Sequence, residues 1–201
     1  MVLLIAVVVG LVAGLVRSWY RHEKYQVPIL HSIWLVFMAF LPQYLAFSLP
    51  YTREQIPDAW VPSILLGSLS FLFIFVLLNR KKPGMWIMGI GLLSNFIVIA
   101  LNHGYMPLSP DTVTRLIGND NSAIFTIGER VGYGKDILLP VEQTKLWFLS
   151  DVFTFPAWVN YRVAFSIGDI FISIGAFLFL WSLGGASPIL NPLEVKNAED
   201  T

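Results

Sequence analysis

WVPSILLGSLSFLFIFVLLNRKK, residues 60–82, is the stretch that decides the fold of this chain. From Trp60 to Leu78 it carries no charged residue, and a helix needs about 20 apolar residues to cross the hydrocarbon core of a membrane. Arg80, Lys81 and Lys82 follow directly, and basic residues beside an apolar helix favour the cytoplasmic side. The stretch therefore predicts a transmembrane helix whose C-terminal end lies in the cytoplasm.

Four other segments have the same apolar character. Pro42 lies inside the second of the five and predicts a kink near Ala39, because proline removes a backbone hydrogen bond. Gly67, Gly89 and Gly91 predict close contacts between helices. The sequence thus predicts an all-α membrane protein with a single transmembrane domain over residues 1–201. Its five transmembrane helices are predicted at about 2–16, 27–49, 60–78, 85–101 and 164–183.

The composition favours lipid as the solvent of this chain. Of its 201 residues, 56% are hydrophobic and 13% are charged, whereas soluble domains carry about a quarter charged residues. Because the 13 basic and 13 acidic residues balance, nothing indicates nucleic acid as a partner. The chain has no cysteine, which excludes disulfides, thiolate nucleophiles and iron–sulfur clusters.

A second basic cluster, Arg17, Arg21 and Lys24, follows the first predicted helix. Both clusters lie in the cytoplasm if the N-terminus is outside, and five crossings then place the tail, residues 184–201, in the cytoplasm. A cleaved signal peptide has a basic region before its apolar core, whereas here the apolar run begins at residue 2. We therefore interpret the first segment as a retained helix.

The connection over residues 102–162 is predicted to be an outer loop, far longer than an ordinary connection. Aromatic residues are dense between Thr144 and Phe155. Tryptophan and phenylalanine at such density suit the headgroup boundary of a bilayer. We expect this aromatic segment to lie in the outer interface of the membrane.

Asp169 is the only acidic residue within the five predicted spans, and charges there are functional hypotheses by default. One interpretation is structural: Asp169 caps or hydrogen-bonds the neighbouring loop and pairs with Arg162 or Arg130. The other makes Asp151 and Asp169 the catalytic pair of an aspartyl hydrolase. Two close carboxylates do not both ionise readily, so one holds a proton while the other activates a water molecule.

The residues around this pair resemble the C-terminal part of bacterial lipoprotein signal peptidase. Asp151 precedes an aromatic–proline loop, and FSIGDIFISIGAFLFL, residues 165–180, opens the last predicted helix. Ser166-Ile-Gly-Asp169 is similar to the family's Asn-x-Ala-Asp motif, with serine in place of asparagine. The resemblance implies cleavage of lipidated precursors by Asp151 and Asp169 near the outer face.

A second resemblance spans nearly the whole chain. It rests on NHGYMPLSP (102–110), TKLWFLSDVFTFP (144–156) and FSIGDIFISIGAFLF (165–179). These segments resemble an uncharacterised bacterial family of small multi-pass membrane proteins, known only as a domain of unknown function. The resemblance implies a location in the bacterial cytoplasmic membrane and no particular activity.

His31 and His103 are the remaining candidate ligands, for a metal or a tetrapyrrole. They belong to opposite ends of the predicted bundle and therefore cannot share one metal. A lone histidine near a helix end is more often an interfacial hydrogen-bonding residue. We predict neither a metal site nor a specific cofactor.

These observations favour an accessory or structural subunit of a larger membrane complex, respiratory or photosynthetic. Its expected partners are the lipid bilayer and other membrane proteins. The alternative is an intramembrane aspartyl hydrolase that uses Asp151 and Asp169. A transporter is less favoured, because no inverted repeat or pair of broken helices is apparent.

Overall fold

The structure is a computed structural model that describes residues 2–117, 125–156, 158–159 and 161–185. The predicted tail is thus outside the described residues from 186 onward. The α-helices are α1 (Val2–Arg21), α2 (Trp34–Gln43), α3 (Pro50–Arg53), α4 (Val61–Leu78), α5 (Met85–Leu101), α6 (Pro110–Ile117) and α7 (Ile167–Ser182). The strands are β1 (Met106–Leu108), β2 (Asp136–Leu138), β3 (Phe153–Thr154) and β4 (Ala164–Phe165).

The mainly helical fold is confirmed, and three of the described helical stretches are long and apolar enough to cross a membrane. They are Val2–Arg21, Asp58–Leu78 and Ile167–Gly185. Two further apolar stretches, Trp34–Ser48 and Met85–Leu101, are shorter. The helix bounds agree with the prediction best at α5, which spans residues 85–101 as predicted.

The second predicted helix begins later than the sequence suggests. Residues 27–33 are not helical, so the prediction of a helix start at Val27 is wrong. Pro28 has no backbone donor, and the backbone of His31 is instead bound by the side chain of Asn79. After Pro42 the chain continues as a π-helical turn over Tyr44–Ser48, which is the irregularity that the proline introduces.

The last helix also begins later than predicted. Residues 164–165 form strand β4, and Ser166 is the N-cap of α7. The first helix, by contrast, extends beyond residue 16 to Arg21.

The long helices form one array in the order α2, α4, α5, α7 and α1, each packed against the next. The main core lies between α2, α4 and α5 and includes Leu35, Val61, Leu65, Leu92 and Val98. Helices α5 and α7 are antiparallel, because Gly84 approaches Phe179 and Gly91 approaches Ile172. Helices α1 and α7 are parallel, because Gly10 approaches Phe177 and Gly14 approaches Leu180.

These directions place both basic clusters at one end of the array. Helices α1, α4 and α7 all run toward that end, which we call the basic end. Arg17 and Arg21 lie in the last turns of α1, and Arg80, Lys81 and Lys82 follow α4.

Helix α1 packs on α7 through its small residues. Its buried positions are Gly10, Gly14 and Ser18, while most of its large apolar side chains are exposed. A Cβ atom at Gly10 would lie 2.9 Å from the Cα of Phe177, and one at Gly14 would lie 2.5 Å from the carbonyl oxygen of Leu180. Small residues at this spacing let two helices approach closely within a membrane.

The predicted glycine contacts differ from one position to the next. Gly91 lies against Gly168 of α7, where a Cβ would clash with backbone, and a Cβ at Gly89 would lie 3.3 Å from a side-chain carbon of Val76 on α4. A Cβ at Gly67 would have nothing within 4 Å. The predicted contact at Gly67 is therefore wrong.

The described residues between 102 and 165, called the cap segment below, have secondary structure of their own at the end opposite the basic end. Strands β1 and β2 pair in parallel, and β3 and β4 pair in antiparallel fashion. Leu108, Val113 and Leu138 form a small second core. In the aromatic segment, Trp147 and Phe148 are about half exposed.

Asparagine side chains end both α4 and α5 in the same way. The side chain of Asn79 exchanges two hydrogen bonds of 2.9 Å with the backbone of His31. The side chain of Asn102 does the same with the backbone of Lys145, at 2.9 and 3.0 Å. Each amide also donates to the carbonyl four residues earlier in its own helix. We call these two arrangements the asparagine clamps, and each joins a helix end to a distant non-helical segment.

Candidate functional site

Lys135 is the centre of a charged cluster in the cap segment. Its Nζ lies 2.5 Å from Oδ2 of Asp151 and 3.1 Å from Oδ1 of Asp136. The side chain of Asp151 is only 2% exposed, whereas that of Lys135 is 37% exposed. An ion pair with a buried carboxylate is far less screened by solvent than a surface pair.

The short parallel sheet brings these residues together. Asp136 begins β2, and the backbone carbonyl of Lys135 accepts a hydrogen bond of 3.0 Å from Met106 at the start of β1. The backbone N–H of Asp151 donates to the carbonyl of Pro107 on β1 at 3.3 Å. Strand β1 therefore holds Lys135 and Asp151 next to each other, although they are 16 residues apart in sequence.

Asp169, the other predicted catalytic residue, lies in a closed hydrogen-bond network at the start of α7. Its Oδ2 accepts from the backbone N–H of Ser166 at 3.1 Å, and its own N–H donates to Ser166 Oγ at 3.1 Å. This reciprocal pair is a capping box. Asn95 of α5 closes the network, because its Nδ2 donates to Asp169 Oδ1 at 2.9 Å while its Oδ1 accepts from Ser166 Oγ at 2.8 Å.

Gly168 makes this network possible. A Cβ atom at that position would collide with the side-chain oxygen of Asn95. The hydrogen-bond partners of Asp169 are Asn95 and Ser166. Arg130, considered above as a partner of Asp169, instead pairs with Asp58 at 2.6 Å.

Asp169 and Lys135 line a common cavity of about 260 Å³. Its other walls are apolar and come from the start of α1, from α7 and from the chain around β4: Val2, Leu3, Val163, Ala164, Phe165 and Ile172. The cavity thus has two charged groups in an otherwise apolar lining.

The electrostatics of the cluster make Asp151 its titrating group. Burial raises the pKa of Asp151 to about 7; Lys135 opposes this rise, while Asp136 and Asp169 add to it. Burial also disfavours the charged form of Lys135, but Asp136, Asp151 and Asp169 outweigh this effect and raise its pKa above the ordinary value. Lys135 therefore stays cationic at neutral pH, whereas Asp151 is near its midpoint.

The two carboxylate oxygens of Asp151 differ in their contacts, since only Oδ2 is bound by Lys135. Within the described part of the chain, Asp151 Oδ1 is buried without a hydrogen-bond partner. Asp151 and Asp169 both lie close enough to Lys135 to act on its charge, but each has its own separate set of hydrogen bonds. Whether they act in catalysis stays a prediction.

The two histidines do not join this cluster. The His31 backbone is held by Asn79 at the end of α4, and His103 follows α5 with a left-handed backbone (φ 59°). Since α4 and α5 form a hairpin, these positions are at opposite ends of the array. Among the described residues, no group of three or more histidines or carboxylates could hold a metal.

Lys135 and Asn95 are the important residues that sequence reasoning missed. Asn95 could have been found, because an amide inside an apolar span usually bonds to a neighbouring helix. Lys135 gives no comparable signal, because its partner Asp151 comes close only through the β1–β2 pairing.

Comparison with known proteins gives a family but no activity. A family model described as a family of unknown function, DUF5317, matches residues 28–181. An uncharacterised protein of Thermotoga maritima is 27% identical over 133 residues, which are 66% of this chain and 70% of that protein. No solved structure matches. The resemblance to a domain of unknown function is thus supported, whereas nothing supports the one to lipoprotein signal peptidase.

Proposed function

Because the chain belongs to the DUF5317 family, whose function is unknown, we propose a role from its architecture: a five-span integral membrane protein that serves as a non-catalytic accessory subunit. Its location would be the bacterial cytoplasmic membrane, with the N-terminus outside and the C-terminus in the cytoplasm. The larger complex would be a respiratory or photosynthetic one. The partners would be lipid and other membrane proteins.

Five spans are supported by the single array of helices. The two shorter apolar stretches pack beside the longer ones, and at 1.5 Å per residue the 17 residues of α5 extend about 25 Å, close to the thickness of a hydrocarbon core. The orientation is supported by the basic end, where both clusters lie together.

Reporter fusions test this topology. Fusions at Glu23 and Lys82 should both report a cytoplasmic location, and a fusion near Asn121, in the outer loop predicted from the sequence, should report an external one. An external signal at Lys82 would overturn the five-span arrangement.

The accessory role rests mainly on one observation, the exposed aromatic surface of the cap segment. Trp158 is 85% exposed, and Trp147 and Phe148 are about half exposed. Exposed aromatic side chains are enriched where proteins meet membrane boundaries or other proteins. Such a surface above a helical array suits contact with a neighbouring membrane protein.

Purification in a mild detergent, followed by mass measurement, tests the accessory role. We expect a stoichiometric partner that is lost in the double variant Trp147→Ala/Trp158→Ala. The matched control is Trp86→Ala, which removes an exposed tryptophan near the basic end. A homogeneous monomer from native membranes, or equal loss of the partner in the control, would contradict the proposal.

The hydrolase remains a second candidate, because Asp151 belongs to the same charged cluster as Asp169, and its Oδ1 has no hydrogen-bond partner among the described residues. A carboxyl group with a pKa of about 7 can accept or donate a proton near neutral pH, as general acid–base chemistry requires. The cavity beside Asp169 has apolar walls that suit an acyl or peptide chain.

The test is cleavage of a lipidated precursor peptide by the purified protein in micelles. Asp151→Asn and Asp169→Asn should each abolish cleavage while the protein stays folded, and the double variant should lose no more than either single one. Asp111→Asn, which changes an exposed carboxylate of the cap segment, should keep full activity. Absence of cleavage by the wild-type protein would remove this candidate and leave the accessory role untouched.

A further inference from the structure

Two cavities flank the turn between α4 and α5 at the basic end. The first, of about 330 Å³, lies among Val27, Pro28, Phe179 and Leu183, with Lys81 and Lys82 at its edge. The second, of about 610 Å³, includes His31, Asn79 and Arg80 together with the same two lysines. Lys81 and Lys82 therefore stand between an apolar crevice and a polar one.

Three consecutive basic residues follow α4 in this turn. Among the residues that the structure describes, Arg80, Lys81 and Lys82 form no salt bridge. Lys81 is exposed and Lys82 is half-buried. A lysine ammonium without a carboxylate partner attracts an anion. Because an apolar wall lies beside it, an anion that also carries an apolar part fits this place best.

The position of the cavities narrows the choice of anion. They lie where α4 and α7 end, which is the headgroup level if these helices cross the membrane. Basic pockets between transmembrane helices on the cytoplasmic side are typical binding sites for anionic lipid headgroups. An inorganic anion would leave the apolar walls formed by Val27, Phe179 and Leu183 without a partner.

We propose that the crevice between the α4–α5 turn and the end of α7, at the basic end, binds one anionic phospholipid of the adjacent leaflet. The phosphate lies between Lys81 and Lys82, which act as point charges with several donors each. An acyl chain lies along Val27, Phe179 and Leu183. The inference rests on the five-span arrangement and adds a specific lipid to it.

Native mass spectrometry of the purified protein in detergent tests the proposal, with phosphatidylglycerol, phosphatidylcholine and inorganic phosphate as probes. We expect one phosphatidylglycerol to bind saturably and to raise the Tm, with phosphatidylcholine much weaker. The double variant Lys81→Gln/Lys82→Gln should weaken phosphatidylglycerol binding about tenfold or more. The matched control is Arg21→Gln/Lys24→Gln, which also removes two positive charges at the basic end. Neither Arg21 nor Lys24 lines either cavity.

A third variant tests the apolar wall. Val27 is 69% exposed, so Val27→Glu should leave the fold intact while it places a negative charge in the crevice. We expect it to weaken binding at least as much as the lysine variant.

Several results would overturn the inference. Equal binding of phosphatidylcholine would exclude charge selection, and equal weakening in the Arg21/Lys24 control would show diffuse surface attraction. Binding of inorganic phosphate without binding of phosphatidylglycerol would mean that the cavity is only a polar anion site. Extraction of the protein from membranes by alkaline carbonate would instead refute the five-span arrangement itself. A protein that resists this extraction but shows no lipid selectivity would refute the lipid site alone.

Discussion

At the scale of single residues, Asp151 links pH to stability. Its folded pKa of about 7 lies above its ordinary value of 3.8, so between these values the folded protein holds a proton that the unfolded chain releases. The free energy of unfolding should therefore fall as pH rises from about 4 to about 7. In Asp151→Asn, whose side chain is neutral throughout, this part of the decline should disappear.

Denaturation in detergent across pH 4–8 measures this effect. The control is Asp111→Asn, an exposed carboxylate that should leave the wild-type slope unchanged. A slope that survives in Asp151→Asn would assign the titration to a group other than Asp151.

Asn102 is the second residue with a large predicted effect. Its buried amide bonds both backbone groups of Lys145, so Asn102→Ala leaves a donor and an acceptor of the cap segment without partners. We expect a loss of about 1–3 kcal/mol in the free energy of unfolding. The control is Ser94→Ala, which removes an exposed hydrogen bond from the Ser94 hydroxyl to the carbonyl of Ile90 on α5. It should change the free energy of unfolding by less than about 0.5 kcal/mol. Equal effects of the two variants would mean that the clamp contributes little.

At the scale of elements, the contact between α1 and α7 depends on the absence of side chains. A Cβ at Gly14 would lie 2.5 Å from the carbonyl oxygen of Leu180 and 2.8 Å from the ring of Tyr25. Gly14→Leu should therefore separate the two helices and lower stability by about 1–3 kcal/mol. Val12→Leu enlarges an exposed side chain of the same helix and should be nearly neutral. A cysteine-crosslinking assay between α1 and α7 would report the separation directly, and an unchanged crosslinking yield would contradict it.

The elements also show which features a sequence can reveal. Helix α5 could be predicted to its ends, because Gly84 and Asn102 bound a mainly apolar run without a charged residue. The capping box of α7 could have been predicted, because Ser166 and Asp169 are three residues apart. The helix start was instead placed at residue 164, because the apolar run begins there. The start of α2 was mispredicted because residues 27–33 are mostly apolar. Hydropathy carries no information about the clamp by which Asn79 holds the backbone of His31.

The charged cluster lies beyond such reasoning for a different reason. Lys135 and Asp151 meet only because β1 pairs with β2 and the carbonyl of Pro107 on β1 also accepts a hydrogen bond from the backbone N–H of Asp151. These strands have three residues each, too few to show an alternating pattern. The sequence identified Asp151 and Asp169 as unusual residues but could not identify Lys135 as the partner of Asp151.

At the scale of the whole molecule, the exposed apolar faces of α1 and α2 predict the behaviour of the isolated protein. Many large side chains there are half exposed or more, among them Val8, Val16, Phe37 and Phe40. Apolar patches of this extent are not tolerated in water. We expect the protein to stay in the membrane fraction after alkaline carbonate and to aggregate when detergent is removed. Release as a soluble monomer would contradict this expectation.

The pairing of α1 with α7 also has a consequence in time. The ribosome completes α1 long before α7, because 145 residues lie between Arg21 and Ile167. At about 5–20 residues per second, the first helix waits about 7–30 seconds for its neighbour. During that interval its glycine face is open to any nascent or resident helix with small residues of its own. Biogenesis of this protein should therefore depend on how quickly translation delivers the last helix, and slow codons between the two would favour mispairing.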